Sequence, residues 1–199
     1  MTGLLAVVLA YLIGAIPFGY LVVRFSTGKD VRSSGSGNIG ATNVLRTTGR
    51  AAGVITLLLD MAKGFGAVWL AAWLTQESTV WSSAAILAVM AGHAFPVFLK
   101  FKGGKAVASC VGAFLYVTPL TVLAAAVIFG VAVAVTGYIS AGSVLATATF
   151  PIGIWLVDHP PTSLLLTAIL AAGFIVYRHR PNLERIHAGT ENVFRWGRP

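Results

Sequence analysis

The stretch KAVASCVGAFLYVTPLTVLAAAVIFGVAVAVTGYISAGSVLATATFPIGIWLVDHPPTSLLLTAILAAGFIVYR, residues 105–178, has a cation at each end and none between. Its one carboxylate is Asp158. A water-facing domain carries roughly 25% charged residues, so the solvent around this stretch is lipid. A spanning helix needs about 20 mainly apolar residues. The stretch resolves into four candidate spans: Ala106 to Leu120, Thr121 to Val135, Ile139 to Val157 and Thr162 to Tyr177. The first two are short, and Thr118-Pro119 marks the break between them.

Upstream lie three more runs, Gly3 to Val23, Ala52 to Leu74 and Val80 to Leu99. The whole chain of 199 residues is 57% hydrophobic and 10% charged, with a mean hydropathy of +0.84. No polar stretch is long enough for a second domain, so one domain over residues 1–199 is expected. The single cysteine, Cys110, excludes an intrachain disulfide and reads as a small core residue.

The placement of cations orients the spans. Arg24, Lys29, Arg32, Arg46 and Arg50 follow the first run, and Lys100, Lys102 and Lys105 follow the third. Arg178, Arg180, Arg185, Arg195 and Arg198 form the tail. The loops after the second, fourth and sixth runs carry none. Positive-inside orientation puts the three basic segments in the cytoplasm. Seven spans achieve this, with the N-terminus outside and the C-terminus cytoplasmic; six would strand the tail on the opposite side. The expected fold is an all-α integral membrane protein of the cytoplasmic (inner) membrane. No cation precedes the first run, so it lacks a secretory signal's basic start and reads as a permanent span. The net charge of +8 resides in short loops between apolar runs, which argues topology rather than a nucleic-acid partner.

Three ionisable groups interrupt the apolar runs. Asp60 and Lys63 are three residues apart on one helical face, where they can neutralise each other. Intramembrane charges of this kind commonly serve a cavity or a site, and structural support is the expected role here. His93 sits before Pro96 near the end of the third run and reads first as a hydrogen-bonded helix residue. His159 and His187 read as loop residues. No carboxylates or histidines have metal-ligand spacing, so neither a metal nor a cofactor is expected.

The three basic segments also carry hydrogen-bonding groups. The first reads Ser33-Ser34-Gly35-Ser36-Gly37-Asn38-Ile39-Gly40-Ala41-Thr42-Asn43-Val44-Leu45-Arg46. Its glycines let the backbone approach a ligand. Ser36, Asn38, Thr42 and Asn43 can bond hydroxyls or phosphate oxygens, and Arg46 can grip a phosphate with two parallel bonds. The second, Phe98-Leu99-Lys100-Phe101-Lys102-Gly103-Gly104-Lys105, suggests a phosphate cradle. It is not a Walker A loop, because Ala106 stands where Ser or Thr is required and Leu99 replaces the first glycine. The tail runs Arg178-His179-Arg180-Pro181-Asn182-Leu183-Glu184-Arg185 and on to Gly189-Thr190-Glu191. Each segment alone is also explained by anchoring to anionic headgroups. Three on one face, each pairing cations with donors, read as one anion-binding site.

These residues resemble a family. Residues 35–46, Gly-Ser-Gly-Asn-Ile-Gly-Ala-Thr-Asn-Val-Leu-Arg, are similar to the first motif of the bacterial acyl-phosphate:glycerol-3-phosphate acyltransferases, the PlsY family. Gly92-His93-Ala94-Phe95-Pro96-Val97-Phe98 with Lys102-Gly103-Gly104-Lys105-Ala106-Val107-Ala108 resembles the second, and Arg178 through Glu191 the third. The chain departs from the pattern at Ser109, where Thr is usual, and at Asn192, which interrupts a basic ending.

The resemblance implies an enzyme that moves a fatty acyl group from acyl phosphate, not acyl-CoA or acyl carrier protein, to the 1-hydroxyl of sn-glycerol 3-phosphate. The products are lysophosphatidic acid and phosphate, the first acylation of bacterial phospholipid synthesis. It also implies Ser36, Arg46, His179 and Asn182 as activity residues. Gly37, Gly103, Gly104 and Lys105 join Asn38, Thr42 and Asn43 as candidate substrate binders, and Glu191 is implied as structural support. The partners are the two substrates and membrane lipid, with the chain acting as a monomer.

Physical chemistry fits this. Both substrates are anions, so cations lower their approach barrier and stabilise the departing phosphate. Acyl phosphate is already activated, so a substrate phosphate can take the hydroxyl proton; His179 is the rival base. No serine or cysteine triad is legible. The His-x4-Asp pattern of the other glycerolipid acyltransferases is absent, since Phe98, Leu164, Glu184 and Asn192 stand five residues after the histidines. Two other classes remain at this point. An organic-phosphate transporter would use Asp60 and Lys63 but shows no inverted halves, and a passive lipid-binding scaffold leaves the dense Gly/Asn/Arg motifs unexplained.

Overall fold

The computed structural model describes residues 1–194, and those residues are helical, without strands. They form two compact units, Met1–Val117 and the segment from Thr118 onward. Arg195 and Arg198 of the basic tail lie outside the described residues.

In the first unit the expected first span is two helices, α1 (Thr2–Ala15) and α2 (Phe18–Thr27). Pro17 causes the break: the residue before a proline is pushed out of the helical region, and Ile16 is extended at φ −62°, ψ 115°. Gly28, left-handed at φ 71°, ends α2. The first polar segment contains α3 (Ala41–Thr48), a helix within what reads from the sequence as loop. Then follow α4 (Arg50–Leu74), α5 (Thr79–Ala94) and α6 (Val107–Val117). Pro96 follows closely on the end of α5.

Glycines bring these helices together at backbone contact. A side chain on Gly14 of α1 would strike the Val89 carbonyl of α5, and one on Gly92 of α5 the Tyr11 carbonyl of α1. Gly64 of α4 faces the Ser109 carbonyl and Gly112 of α6 the Met61 carbonyl in the same reciprocal way. In lipid, where apolar side chains gain little by leaving the solvent, such close backbone approach is a main source of helix association.

The second unit holds α7 (Pro119–Thr136), α8 (Ile139–Val157), α9 (Thr162–Arg178) and α10 (Arg180–His187). Proline at its first position is compatible with the start of α7, so the fifth apolar run begins at Pro119 rather than at Thr121. Likewise the fourth is only Val107–Val117, shorter than the expected Ala106 to Leu120. Thr121 bonds Asp158, tying α7 to the end of α8.

Among the described residues five stretches are long and apolar enough to cross a membrane, with α1 and α2 counted together as Thr2–Thr27 and α5 extended to Leu99, or up to six if α9 and α10, bent by 51°, count as one span. Their outer faces are apolar: Leu120, Leu123, Val127, Val131 and Val135 are exposed along one side of α7, and Leu4, Val8 and Leu12 along α1. Continuous exposed apolar faces of this kind belong in lipid, not water.

Candidate active site

Asn43 organises the first polar segment. It is 2% exposed. Its amide nitrogen lies within bonding distance of the Asn38 carbonyl at 2.8 Å, that of Ser34 at 3.1 Å and that of Val31 at 3.4 Å. Its oxygen accepts from the Ser36 N–H at 2.9 Å. Both ends of the carboxamide therefore hold the loop itself. Gly35 is left-handed at φ 59°, and a side chain there would collide with the Asn43 oxygen. Asn38 accepts from the Gly40 N–H at 2.8 Å, setting the entry to α3.

This pinning leaves Ser36 and Gly37 exposed, Thr42 half-buried in the first turn of α3, and Arg46 exposed one turn later. A helix start favours negative charge. Thr42 and Arg46, four residues apart, share a face of α3.

The second motif lies against the first. Leu99 is buried in a cluster with Val23, Val31, Ile39 and Val44, so the two segments share one end of this unit. Between them opens a cavity of about 400 Å³ lined by Tyr20, Arg32, Phe98, Leu99, Lys100 and Lys102. Arg32 is paired with Asp30 at 2.7 Å.

The sequence suggests Gly103, Gly104 and Lys105 as a phosphate cradle. In the structure Gly103 donates to the Ala94 carbonyl at 3.2 Å and Gly104 to the His93 carbonyl at 3.1 Å. A helix leaves its last carbonyls without intrahelical donors, and these two amides satisfy the end of α5. Lys105, half-buried, follows at once.

Behind the motif is a buried ionic cluster. Asp60 and Lys63 lie 2.8 Å apart, each side chain 2% exposed. Lys63 also donates to the Ile16 carbonyl at 2.8 Å, across the break that Pro17 makes. His93 Nδ1 is 3.1 Å from the Ser109 hydroxyl and 3.5 Å from Asp60 Oδ1. Among the described residues no three His, Cys, Asp or Glu side chains group as metal ligands.

The third motif belongs to the second unit. His179 is 3% exposed and sits at the bend between α9 and α10. Its Nδ1 meets the Ile175 carbonyl at 2.8 Å. A carbonyl only accepts, so Nδ1 carries a proton and donates it here. Glu191 is the hub of this region. It accepts from Asn182 at 2.7 Å and Ser140 at 2.9 Å on one oxygen, and from Arg185 at 2.7 Å on the other. Burial pushes its carboxyl up, but bonds from Asn182, Ser140 and Arg185, with the arginine's charge, outweigh this and hold it below the ordinary glutamate range.

Ser140 and Ser109 were missed as site support. Each is a serine within an apolar run, a weak signal, because a helical serine can bond its own backbone instead.

The chain matches the family model described as glycerol-3-phosphate acyltransferase over residues 4–189. It is 45% identical to the glycerol-3-phosphate acyltransferase of Geobacter sulfurreducens, over 96% of this chain and 97% of the relative. It is 44% identical to that of Geotalea daltonii, over 94% of each. A crystal structure of PlsY, an integral membrane glycerol 3-phosphate acyltransferase in its glycerol 3-phosphate form, matches with a TM-score of 0.92 at 35% identity, covering 98% of this chain and 96% of that one. The lysophosphatidic acid form matches at 0.88 and 34% identity, with the same coverage.

Proposed function

Because the chain belongs to the glycerol-3-phosphate acyltransferase family, we propose that it transfers a fatty acyl group from acyl phosphate to the 1-hydroxyl of sn-glycerol 3-phosphate. The products are lysophosphatidic acid and inorganic phosphate. The observation that carries this reading is the likeness, along nearly the whole chain, to a structure in a glycerol 3-phosphate form and in a lysophosphatidic acid form. On this reading the protein is one monomeric acyltransferase domain of seven spans in the cytoplasmic membrane. Its N-terminus lies outside and its basic segments face the cytoplasm.

The geometry within each unit supports the following roles. Ser36, exposed on the pinned loop, orients the acceptor, with Gly37, Asn38 and Thr42 beside it. Asn43 acts by holding that loop. Arg46 and Lys105 neutralise phosphate, while Gly103 and Gly104 act by fixing where Lys105 starts. In the second unit Asn182, held by Glu191, and His179 are the activity residues. The substrate hydroxyl attacks the acyl carbon, the bond to phosphate breaks, and a substrate phosphate takes the proton, so no charged base must be generated in an apolar site. Positioning and charge stabilisation supply the acceleration.

A second reading makes His179 the base, favoured by the Ile175 contact that holds the ring through Nδ1. Near-normal turnover in His179→Gln eliminates it.

The deciding assay is acyl transfer by purified, lipid-reconstituted protein with labelled glycerol 3-phosphate. Palmitoyl phosphate and palmitoyl-CoA are run in parallel. Labelled lysophosphatidic acid from the acyl phosphate alone is expected. Product from the CoA ester overturns the donor assignment. No product from either, with the protein folded, overturns the reaction.

A further inference from the structure

We infer that His93 is a positioning residue for Lys105, acting from beneath the second motif without touching substrate. The inference rests on the reading of Lys105 as a phosphate-binding cation. Its observations lie within the first unit.

Lys105 is held on both sides by groups that meet His93. On the chain before it, Gly104 donates its N–H to the His93 carbonyl. A side chain at Gly104 would run into His93 Nε2, so the imidazole lies directly against this glycine. On the chain after it, Ser109 of α6 sets its hydroxyl 3.1 Å from His93 Nδ1. One ring thus sets the distance between the segment entering Lys105 and the helix leaving it. Gly103 closes the same end of α5 through the Ala94 carbonyl. Ala106 itself is left-handed at φ 62°, a conformation an L residue keeps only when its surroundings impose it.

The ring is itself held. Asp60 Oδ1 lies 3.5 Å from Nδ1 and 2.8 Å from Lys63 Nζ. Lys63 is anchored at the Ile16 carbonyl. The chain of contacts therefore runs from the Pro17 break through α4 and α5 to Lys105. His93 and Ser109 are 4% and 0% exposed. Buried polar groups this enclosed are costly unless each is paired. A plain structural histidine needs one partner. This one contacts three groups of its surroundings, two of which flank the same lysine.

The test is a double-mutant cycle in the full-length, lipid-reconstituted protein, read as kcat/KM for glycerol 3-phosphate. Lys105→Ala is expected to fall about 100-fold and His93→Phe about tenfold, and the double variant to fall no further than Lys105→Ala alone, because residues acting as one unit are not additive. His93→Asn, which places an amide where Nδ1 was, recovers most of the loss. If His93→Phe does not fold, judged by size exclusion and thermal unfolding, Ser109→Ala takes its place in the cycle with the same expectation. A double variant that falls by the product of the single losses, about 1,000-fold, overturns the inference. So does wild-type activity in Lys105→Ala, which removes the phosphate role of that lysine. Neither result touches acyl transfer by the unaltered protein, which is decided by the labelled assay above.

Discussion

The two units keep their polar groups in different places. In Met1–Val117 the ionic cluster Asp60, Lys63 and His93 lies inside helices α4 and α5 and is fully enclosed. In the second unit the strong polar contacts sit at helix ends: Thr121 with Asp158, and Glu191 with Ser140, Asn182 and Arg185. Burial differs accordingly. In Thr79–Leu99, 61% of the apolar stretch is buried, against 22% in Pro119–Thr136. A charge inside an apolar medium is tolerable only with partners on all sides, so the first unit must pack tightly where the second need not. The candidate groups are held correspondingly. In the first unit, close backbone approach and Asn43 set the positions of Ser36, Arg46 and Lys105. In the second, one carboxylate holds Asn182 by side-chain bonds.

The sharpest way to break this contrast is to add volume to a glycine in each unit. Gly112→Ala drives a Cβ into the Met61 backbone, which cannot move without displacing α4. A loss of about 3 kcal/mol or more is expected, read as failure to yield a monodisperse protein or as a large drop in Tm. The matched change Gly130→Ala in α7 meets nothing within 4 Å and gains about 0.5–1 kcal/mol from helix propensity. Equal responses at the two positions would abolish the distinction.

Next in size is Asn43→Ala. It removes the donor to the Asn38 and Ser34 carbonyls and the acceptor for the Ser36 N–H. A cost of about 1–3 kcal/mol for unsatisfied groups is expected, with kcat falling more than tenfold because Ser36 loses its loop. An Asn43→Asp variant keeps the acceptor but not the donor and should fall between.

Glu191→Gln tests the second unit. The amide can keep one acceptor but not the charge that draws Arg185, so we expect a loss of about 1–2 kcal/mol. Activity should fall further than in Arg185→Ala, because the bond from Asn182 also loses the strength that the carboxylate charge gives it. Equal activity in the two variants would confine the role of Glu191 to the arginine.

The smallest expected effect is on pH dependence. The Glu191 carboxyl is held below its ordinary range. Its contribution to stability is therefore complete above about pH 4.3, the usual glutamate value. It is lost as pH falls through the lowered folded value. Acid unfolding of wild type and Glu191→Gln, followed by near-ultraviolet circular dichroism, should converge at the acid end. Divergence there would break the assignment.

The apolar runs and their cations made the spanning helices legible in advance, because charge is costly in lipid and a run of that length suits a span. The ends were less legible. Pro17 splits the first run, and α6 stops at Val117, because proline acts on a backbone whose neighbours decide whether the helix bends, ends or starts again. The second motif shows the same limit from another side. Gly103-Gly104-Lys105 reads as a cradle by composition, and the structure adds that the Gly103 and Gly104 amides bond the end of α5. A sequence records which groups can donate, not which carbonyl will be nearest.

The amino-acid order alone therefore determined the solvent of this chain, its apolar runs, the three polar segments and the family whose motifs they resemble. Those properties depend on local composition and spacing, which need no partner. Only the tertiary structure decided that Asn43 binds its own loop, that His93 lies between Gly104 and Ser109, and that Ser140 completes the shell of Glu191. Each of these contacts joins residues from separate segments or separate turns of the fold, and a hydrogen bond exists only where packing has brought donor and acceptor within about 3 Å.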